Sequence, residues 1–224
     1  MGTLYPLTLI LLFSSFVLAQ TAQPASSNAN TATALRKYDD PVNGVRFRYP
    51  ASWLLNQGRS AYIPPVALAN NSDPSEPHKP EAYVVLQGQD AREGRYRNTN
   101  FINGWFFYRV EPGSNQQQCD RKADLANDPS AVEEYEWKAD WTMIGGVRFR
   151  HGSGRGEALC NQSTQDVYTT VQAGRCYIFE KQINTICEQH GDNGIRDTAP
   201  NEMEEINLAF DEVLQSVRLR DSGK

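Results

Sequence analysis

The stretch DVYTTVQAGRCYIFEK, residues 166–181, decides the fold because it predicts two antiparallel strands. Its two halves are rich in β-branched and aromatic residues, and Ala173-Gly174 between them has the length of a two-residue hairpin loop. In such a hairpin Gln172 lies opposite Arg175, and every further pair follows from that register. We therefore expect an antiparallel sheet.

Other strands are predicted on both sides of this hairpin. Residues 45–49 alternate strictly between apolar residues and arginine. Gly145-Gly146 predicts a turn between two further strands, whereas the glycines of residues 152–156 predict a flexible connection. Residues 116–127 favour a helix. The remaining predicted strands are residues 82–87, 104–110, 133–143 and 147–150.

The C-terminal part of the chain predicts a helix. From Asn201 onward, apolar residues recur at helical spacing and leave one face apolar. Asn201 and Glu204 are spaced as a capping pair at the start of this helix, directly after Pro200. Residues 216–219 are expected to form a short strand. The apolar face consists of Met203, Ile206, Phe210, Val213, Leu214 and Val217.

The N-terminal residues predict a signal peptide. Residues 4–18 form one apolar run, shorter than the about 20 residues that span a bilayer. Ala19 before Gln20 supplies the small side chain of a cleavage site, so residues 1–19 are expected to be removed. An uncleaved anchor is the alternative, because residues 1–3 lack Lys and Arg. Residues 20–36 predict a flexible leader, and residues 37–220 a single domain.

Four cysteines predict two disulfides, because an even count is typical of exported, oxidised proteins. The hairpin register places Cys160 opposite Cys187, while Cys176 points to the other face of its strand and is expected to bind Cys119. The alternative is a zinc site, for which Cys187 and His190 form a Cys-x-x-His half-site. No second pair has comparable spacing, so disulfides are predicted.

Composition and charge exclude several classes of protein. The 224 residues include 22 Lys+Arg and 27 Asp+Glu, and this net charge of −5 argues against a nucleic-acid binder. An apolar fraction of 39% is too high for a disordered acidic tail and too low for a protein with many membrane spans.

No catalytic, cofactor-binding or metal-binding set is predicted. The glycines of residues 152–156 (GSGRG) have the wrong register for a nucleophile elbow, and no Lys-Ser/Thr pair follows them as in a phosphate-binding loop. The three histidines, His78, His151 and His190, are far apart in sequence. The alternative to a non-catalytic protein is therefore a secreted hydrolase with a dispersed site near His151 or His190.

Three segments resemble PsbP-like domains. Residues 43–53, NGVRFRYPASW, look like the Gly-x-x-Phe-x-Tyr-Pro-x-x-Trp opening of these domains, and residues 210–218, FDEVLQSVR, are similar to their terminal helix. The hairpin of residues 167–177 resembles the one with a Gly-x-Cys-Tyr turn in exported bacterial proteins of this kind. The resemblance implies an α+β fold, an α/β/α sandwich with a central antiparallel sheet and a C-terminal helix packed across it. Plant members assist the oxygen-evolving complex of photosystem II and relatives bind protein partners, but no functional residue of the family matches a position here.

The expected function is that of an exported, non-catalytic binding or accessory module, secreted or periplasmic and stabilised by two disulfides. Its expected partner is a protein, a wall component or a small molecule, with no cofactor, no nucleic acid and no membrane span after signal removal. This expectation draws on an aromatic content of four Trp, ten Tyr and nine Phe. Filling the core is the alternative role of these rings, because aromatic side chains bury large areas.

Overall fold

Strands make up most of the described part of this molecule, as its many β-branched and aromatic residues favour. The computed structural model describes residues 34–57, 80–88, 94–124, 136–158, 161–186 and 194–220. Within these ranges lie ten strands and two helices. In chain order they are β1 (Leu35–Asp40), β2 (Val45–Pro50), β3 (Leu54–Gln57), β4 (Ala82–Gln87), β5 (Phe101–Pro112), α1 (Gln116–Asp124), β6 (Glu136–Ile144), β7 (Val147–Ala158), β8 (Asn161–Gln172), β9 (Arg175–Ile186), α2 (Pro200–Gln215) and β10 (Arg218–Leu219).

The strands form two antiparallel sheets. The larger sheet has seven strands in the order β3-β4-β5-β9-β8-β7-β6, and the smaller has three in the order β1-β2-β10. The predicted α+β class is confirmed, because the described part of the chain is mostly antiparallel sheet with two helices. Neither of these helices is long and apolar enough to cross a membrane.

The predicted central hairpin is present as β8 and β9. Gln172 pairs with Arg175 across the Ala173-Gly174 turn, where both turn residues have positive φ. Such angles suit a two-residue hairpin loop. The register then continues without a bulge to the pair Asn161 and Ile186. The predicted strands at residues 45–49, 82–87 and 104–110 are also confirmed, as β2, β4 and β5.

A disulfide joins Cys119 of α1 to Cys176 of β9, with the Cα atoms 5.5 Å apart. This is the pairing that the opposite orientation of Cys176 on its strand predicts. Cys119 and Cys176 pack with Ala123, Val167 and Ile178 in a small apolar cluster. The disulfide therefore holds α1 against the larger sheet.

Successive residues of β9 belong to different apolar clusters. Ile178 packs in the cluster beside α1, whereas Tyr177 and Phe179 pack in the main core, which also contains Phe210 of α2. Because successive side chains of a strand point to opposite faces, the larger sheet is apolar on both faces along β9.

Helix α2 approaches the larger sheet closely at Gly104 of β5. A Cβ atom at that position would overlap the ring of Phe210, so only glycine leaves enough space there. Helix residues Ile206, Val213 and Leu214 are buried together with Phe210, as the helical spacing predicts.

The start of α2 differs from the prediction. The N-cap is Ala199 and not Asn201, which lies in the first turn. The carboxylate of Glu202 accepts a hydrogen bond from the Ala199 backbone N–H at 2.9 Å. The capping pair is thus Ala199 and Glu202, and not the predicted Asn201 and Glu204. The physical reason is Pro200, because proline suits the first helical position and the helix therefore begins there.

The glycines of residues 152–156 also differ from the prediction. They continue β7 instead of forming a flexible connection. Gly152 pairs with Ala139 of β6 on one side and with Val167 of β8 on the other. Backbone pairing to two neighbouring strands outweighs the low strand propensity of glycine at these positions.

Candidate functional site

A groove runs along one side of helix α2. It consists of two adjoining cavities, one of about 460 Å³ and one of about 350 Å³. Both cavities are lined by Pro50, at the end of β2, and by Ala209 of α2. Because they share these residues, they form one surface, called here the α2 groove.

The larger part of the α2 groove has an aromatic floor and a charged rim. Trp53 and Tyr96 line it and are almost completely buried. The Trp53 ring is fixed by Phe210, whose ring centroid lies 4.4 Å away. On the rim, Arg95 forms an ion pair with Glu205 of α2, and both side chains are about half exposed. This part therefore combines a rigid apolar surface with one cation and one anion.

The smaller part of the α2 groove lies between the start of β1 and the end of α2. Leu35 lines it, with 53% of its surface exposed. Ser216 ties the end of α2 to β2, because its hydroxyl accepts a hydrogen bond from the Arg48 backbone N–H at 2.7 Å and donates one to the Val213 carbonyl at 2.6 Å. The groove walls are thus held together, while Leu35 is available for contact.

Away from the groove, a row of alternating charges crosses β6, β7, β8 and β9. His151 of β7 contacts Asp140 of β6 through Nδ1 and Asp166 of β8 through Nε2, each at 2.9 Å. The Lys181 ammonium of β9 contacts Asp166 at 3.1 Å and Asp211 of α2 at 2.9 Å. These five residues, called here the charge ladder, connect the outer strand β6 to helix α2.

Burial and neighbouring charges act in opposite directions on the charge ladder. Burial lowers the pKa of His151, but the hydrogen bond to Asp166 and the charges of Asp166 and Asp140 outweigh burial and raise this pKa above its ordinary value. Burial raises the pKa of Asp166, but His151 and Lys181 hold it below its ordinary value. Burial also lowers the pKa of Lys181, and its two aspartate partners overcome this and raise it. All three groups are therefore stabilised in their charged forms.

The geometry of His151 does not suit a general base. Both ring nitrogens are bonded to carboxylates, which favours a proton on each nitrogen. The ring also stacks on Tyr168, with centroids 4.3 Å apart and planes within 2° of parallel. Neither part of the α2 groove is lined by His151. The arrangement is that of a cross-link between strands.

Some of the residues singled out in the sequence lie within the described ranges and others lie outside them. Among the predicted site residues, Cys119 and Cys176 form the disulfide described above. The pairing of Cys160 with Cys187 stays a prediction. No group of three or more His, Cys, Asp or Glu side chains in the described ranges could hold a metal ion. Outside those ranges lie Cys160, Cys187, Ala19, Gln20, His78 and His190.

The sequence alone singles out His151 but not its partners in the charge ladder. Lys181 alternates with the buried residues Phe179 and Ile183, so strand periodicity predicts that it faces the core. A lysine at such a position signals a buried ion pair, because lysine is almost never fully buried without a partner. Its aspartate partners come from β8 and α2, which no local sequence pattern connects.

Comparison with protein-family models and with curated proteins finds no match. Solved structures do match. The chain is similar to cyanobacterial PsbP. The solution structure of that protein, from Synechocystis sp. PCC 6803, is 15% identical, with a TM-score of 0.44 over 88% of this chain and 99% of that chain. The resemblance to PsbP-like proteins that the sequence motifs suggest is thus also found among solved structures.

Two further solved structures are similar to a comparable degree. LpqN, involved in cell envelope biogenesis of Mycobacterium tuberculosis, is 10% identical over 83% of this chain and 91% of its own, with a TM-score of 0.44. The Saccharomyces cerevisiae Ran-binding protein Mog1p is 9% identical over 85% of this chain and 98% of its own, with a TM-score of 0.45.

Proposed function

We propose that this chain is an exported, non-catalytic binding or accessory module and that the α2 groove is its binding site. The observation that carries the proposal is the continuity of the groove, since Pro50 and Ala209 line both of its parts. A concave, largely apolar surface with a few polar groups is the usual form of a ligand site.

The occupant that we propose is an extended segment of a partner protein. The groove follows α2 from Glu205 to Ser216, which corresponds to about 16 Å of helix. An extended peptide covers that length with about five residues. The rim carries both signs of charge, from Arg48 and Arg95 and from Glu205 and Glu212, and therefore suits a peptide with charged side chains on an apolar segment.

The hydrolase alternative has less support. His151 meets two carboxylates, as a catalytic histidine can, but both of its ring nitrogens are occupied. A general base needs a free lone pair aimed at the proton that it removes. His190 lies outside the described residues.

We also propose that the module works outside the cytoplasm, secreted or periplasmic. Residues 1–19 are proposed as the signal peptide, residues 20–36 as the leader, whose last two residues already belong to β1, and residues 37–220 as the domain. No nucleic-acid partner and no membrane span after signal removal are proposed. The Cys119–Cys176 disulfide supports this location, because disulfides persist mainly in oxidising compartments. N-terminal sequencing of the native protein is expected to read from Gln20, whereas an intact Met1 would favour the uncleaved anchor.

Two finer features of the fold belong to the same proposal. The first is an α/β/α sandwich with α2 packed across one face of the larger sheet, which the separate clusters of Ile178 and Phe179 support. The second is a disulfide between Cys160 and Cys187. Its support is the unbroken register of β8 and β9, whose last described pair, Asn161 and Ile186, directly precedes it.

The binding site is tested by filling the α2 groove. Ala209→Trp places a large ring where both parts meet, and Leu208→Trp is the matched control because Leu208 is 54% exposed and lines neither part. Both variants and the wild type are immobilised and exposed to the native exported fraction. We expect the A209W variant to retain at least about tenfold less ligand than the wild type, and the L208W variant to match the wild type.

Two controls separate the outcomes of this experiment. Circular dichroism and thermal melting establish that both variants fold, and Arg95→Glu tests the rim of the groove without adding volume. Protease treatment of the bound material distinguishes a protein segment from a wall polymer or a small molecule. Equal retention by the wild type and the A209W and R95E variants would contradict the α2 groove as the binding site.

A further inference from the structure

Strand β6 is the outer strand of the larger sheet. It pairs with β7 on one side, and no strand in the described ranges pairs with its other side. Its nine residues, Glu136–Ile144, pair with β7 without a bulge. Trp141 and Met143 are 42% and 57% exposed. A long, regular edge with exposed apolar side chains is a template for pairing with another chain.

The hairpin between β6 and β7 decides which backbone groups are free. Gly145 and Gly146 both have positive φ and form a two-residue loop that closes at the pair Ile144 and Val147. The pair that closes such a loop is hydrogen-bonded, and hydrogen-bonded residues alternate along an antiparallel strand. The backbone N–H and C=O groups of Ala139 therefore point away from β7.

We propose that two copies of this chain pair through β6, as antiparallel strands related by a two-fold axis at Ala139. The larger sheets of the two copies would then join into one continuous sheet. This inference is independent of the α2 groove, because no β6 residue lines it.

Charge complementarity favours this register over the two that are shifted by one residue. With Ala139 opposite itself, Lys138 lies opposite the partner's Asp140, and two-fold symmetry produces this pair twice. Shifting the axis by one residue places either two Lys138 or two Asp140 residues directly opposite each other, which is unfavourable. Lys138 makes no ion pair within the described residues, and Asp140 uses Oδ1 for His151, so Oδ2 can accept from the partner's Lys138.

The exposed ring of Trp141 is held in place on the other face of β6. The guanidinium carbon of Arg148 lies 4.2 Å from the ring centroid and that of Arg150 lies 5.4 Å away. Arg150 is fixed in turn by Asp124 of α1, at 2.7 Å. A preorganised aromatic side chain loses little conformational freedom when a partner covers it.

A charge-swap experiment tests the register. The full chain, as the cell processes it, is examined by analytical ultracentrifugation over a range of concentrations. We expect the wild type to reach twice the monomer mass, and Lys138→Asp and Asp140→Lys each to associate at least about tenfold more weakly. An equimolar mixture of the K138D and D140K variants is expected to recover the doubled mass, because each charge then meets its opposite. If D140K weakened association only because it loses the contact with His151, the mixture would not recover the doubled mass.

A backbone variant tests the edge independently of charge. Ala139→Pro removes an outward-pointing N–H and no hydrogen bond to β7, and proline is tolerated on edge strands. The β6–β7 pairing is therefore expected to remain and the variant to fold as a monomer. A wild type that stays at the monomer mass at every concentration would overturn the proposal. So would a dimer whose mass is unchanged by A139P and K138D.

Discussion

Lys181 has only 7% of its surface exposed, yet it keeps its charge because Asp166 and Asp211 both contact its ammonium group. An ammonium group loses its hydration on burial, at a cost of several kcal/mol that only well-placed partners offset. At the scale of single residues, the charge ladder is therefore a cross-link whose members depend on one another. Removing one member takes away one of the opposite charges that stabilise its neighbours.

Lys181→Met tests this dependence. The methionine fills a similar volume, but Asp166 loses one of its two cationic partners, and we expect the free energy of unfolding to fall by about 3 kcal/mol. Urea denaturation measures the change. Lys37→Met is the matched control, because Lys37 is an exposed lysine paired with Asp39, and its effect is expected to stay below about 1 kcal/mol. Equal effects of the two substitutions would contradict a buried cross-link.

The pH dependence of stability provides a second test of the charge ladder. The folded-state pKa of His151 is raised above its ordinary value of 6.5, so its contribution is fully present below about pH 6.5 and is lost as the pH rises through the folded-state pKa. Asp140 and Asp166 contact its ring nitrogens, Tyr168 stacks on its ring, and Lys181 contacts Asp166 from the next strand.

We therefore expect His151→Gln to cost about 1–3 kcal/mol near pH 5.5 and progressively less toward pH 9. Denaturant midpoints of the wild type and the H151Q variant across this range measure the difference. Below pH 3.8 the contribution of Asp166, whose pKa is lowered, is lost as the pH falls through its folded-state pKa. A difference that grows toward alkaline pH would contradict a charged His151.

At the scale of elements, the sequence predicts those strands whose apolar residues alternate or that are rich in β-branched and aromatic residues. Strand β2 is found where its alternation predicts it, and the β8–β9 hairpin is found with the register that its two-residue loop predicts. Strand β1 is missed because LRKYDD lacks alternation, and its first residues fall inside the predicted leader. The glycine-rich half of β7 is missed because pairing on both sides, and not local propensity, keeps it extended.

The sequence predicts less of the candidate site than of the fold. Trp53 belongs to a motif recognised in the sequence, but Tyr96 and Glu205, which line the same cavity, are far from it along the chain. Tertiary packing alone unites them. The charge ladder has the same origin, since its members come from separate elements whose registers are fixed by the whole sheet.

The contact between α2 and β5 makes a prediction at this scale. Gly104→Ala introduces a methyl group where the Phe210 ring lies, so we expect overpacking to reduce the free energy of unfolding by about 1–3 kcal/mol. Phe210→Leu alone also destabilises the protein, because it removes buried ring atoms. In the double variant the leucine leaves room for the methyl group. We therefore expect its loss in the free energy of unfolding to be smaller than the sum of the losses of the two single variants. Strict additivity in thermal unfolding would contradict a direct contact.

At the scale of the whole molecule, the Cys119–Cys176 disulfide holds helix α1 against the larger sheet. The Cys119–Cys176 bond spans 57 residues, a loop whose closure contributes about 4 kcal/mol in the chain-entropy model. We expect non-reducing peptide mapping of the native protein to find Cys119 linked to Cys176 and Cys160 linked to Cys187. A peptide that joins Cys119 to Cys160, or free thiols at all four positions, would contradict this pattern.

The smaller sheet links distant parts of the chain, since Val45 of β2 pairs with Leu219 of β10. Such pairing requires a long loop to close before the stabilising contacts between the two strands can form. It therefore makes folding slow. The sheet also stays incomplete until a ribosome has added residue 219. The larger sheet needs no residue beyond Ile186, so during synthesis the smaller sheet is the last of the two that can be completed.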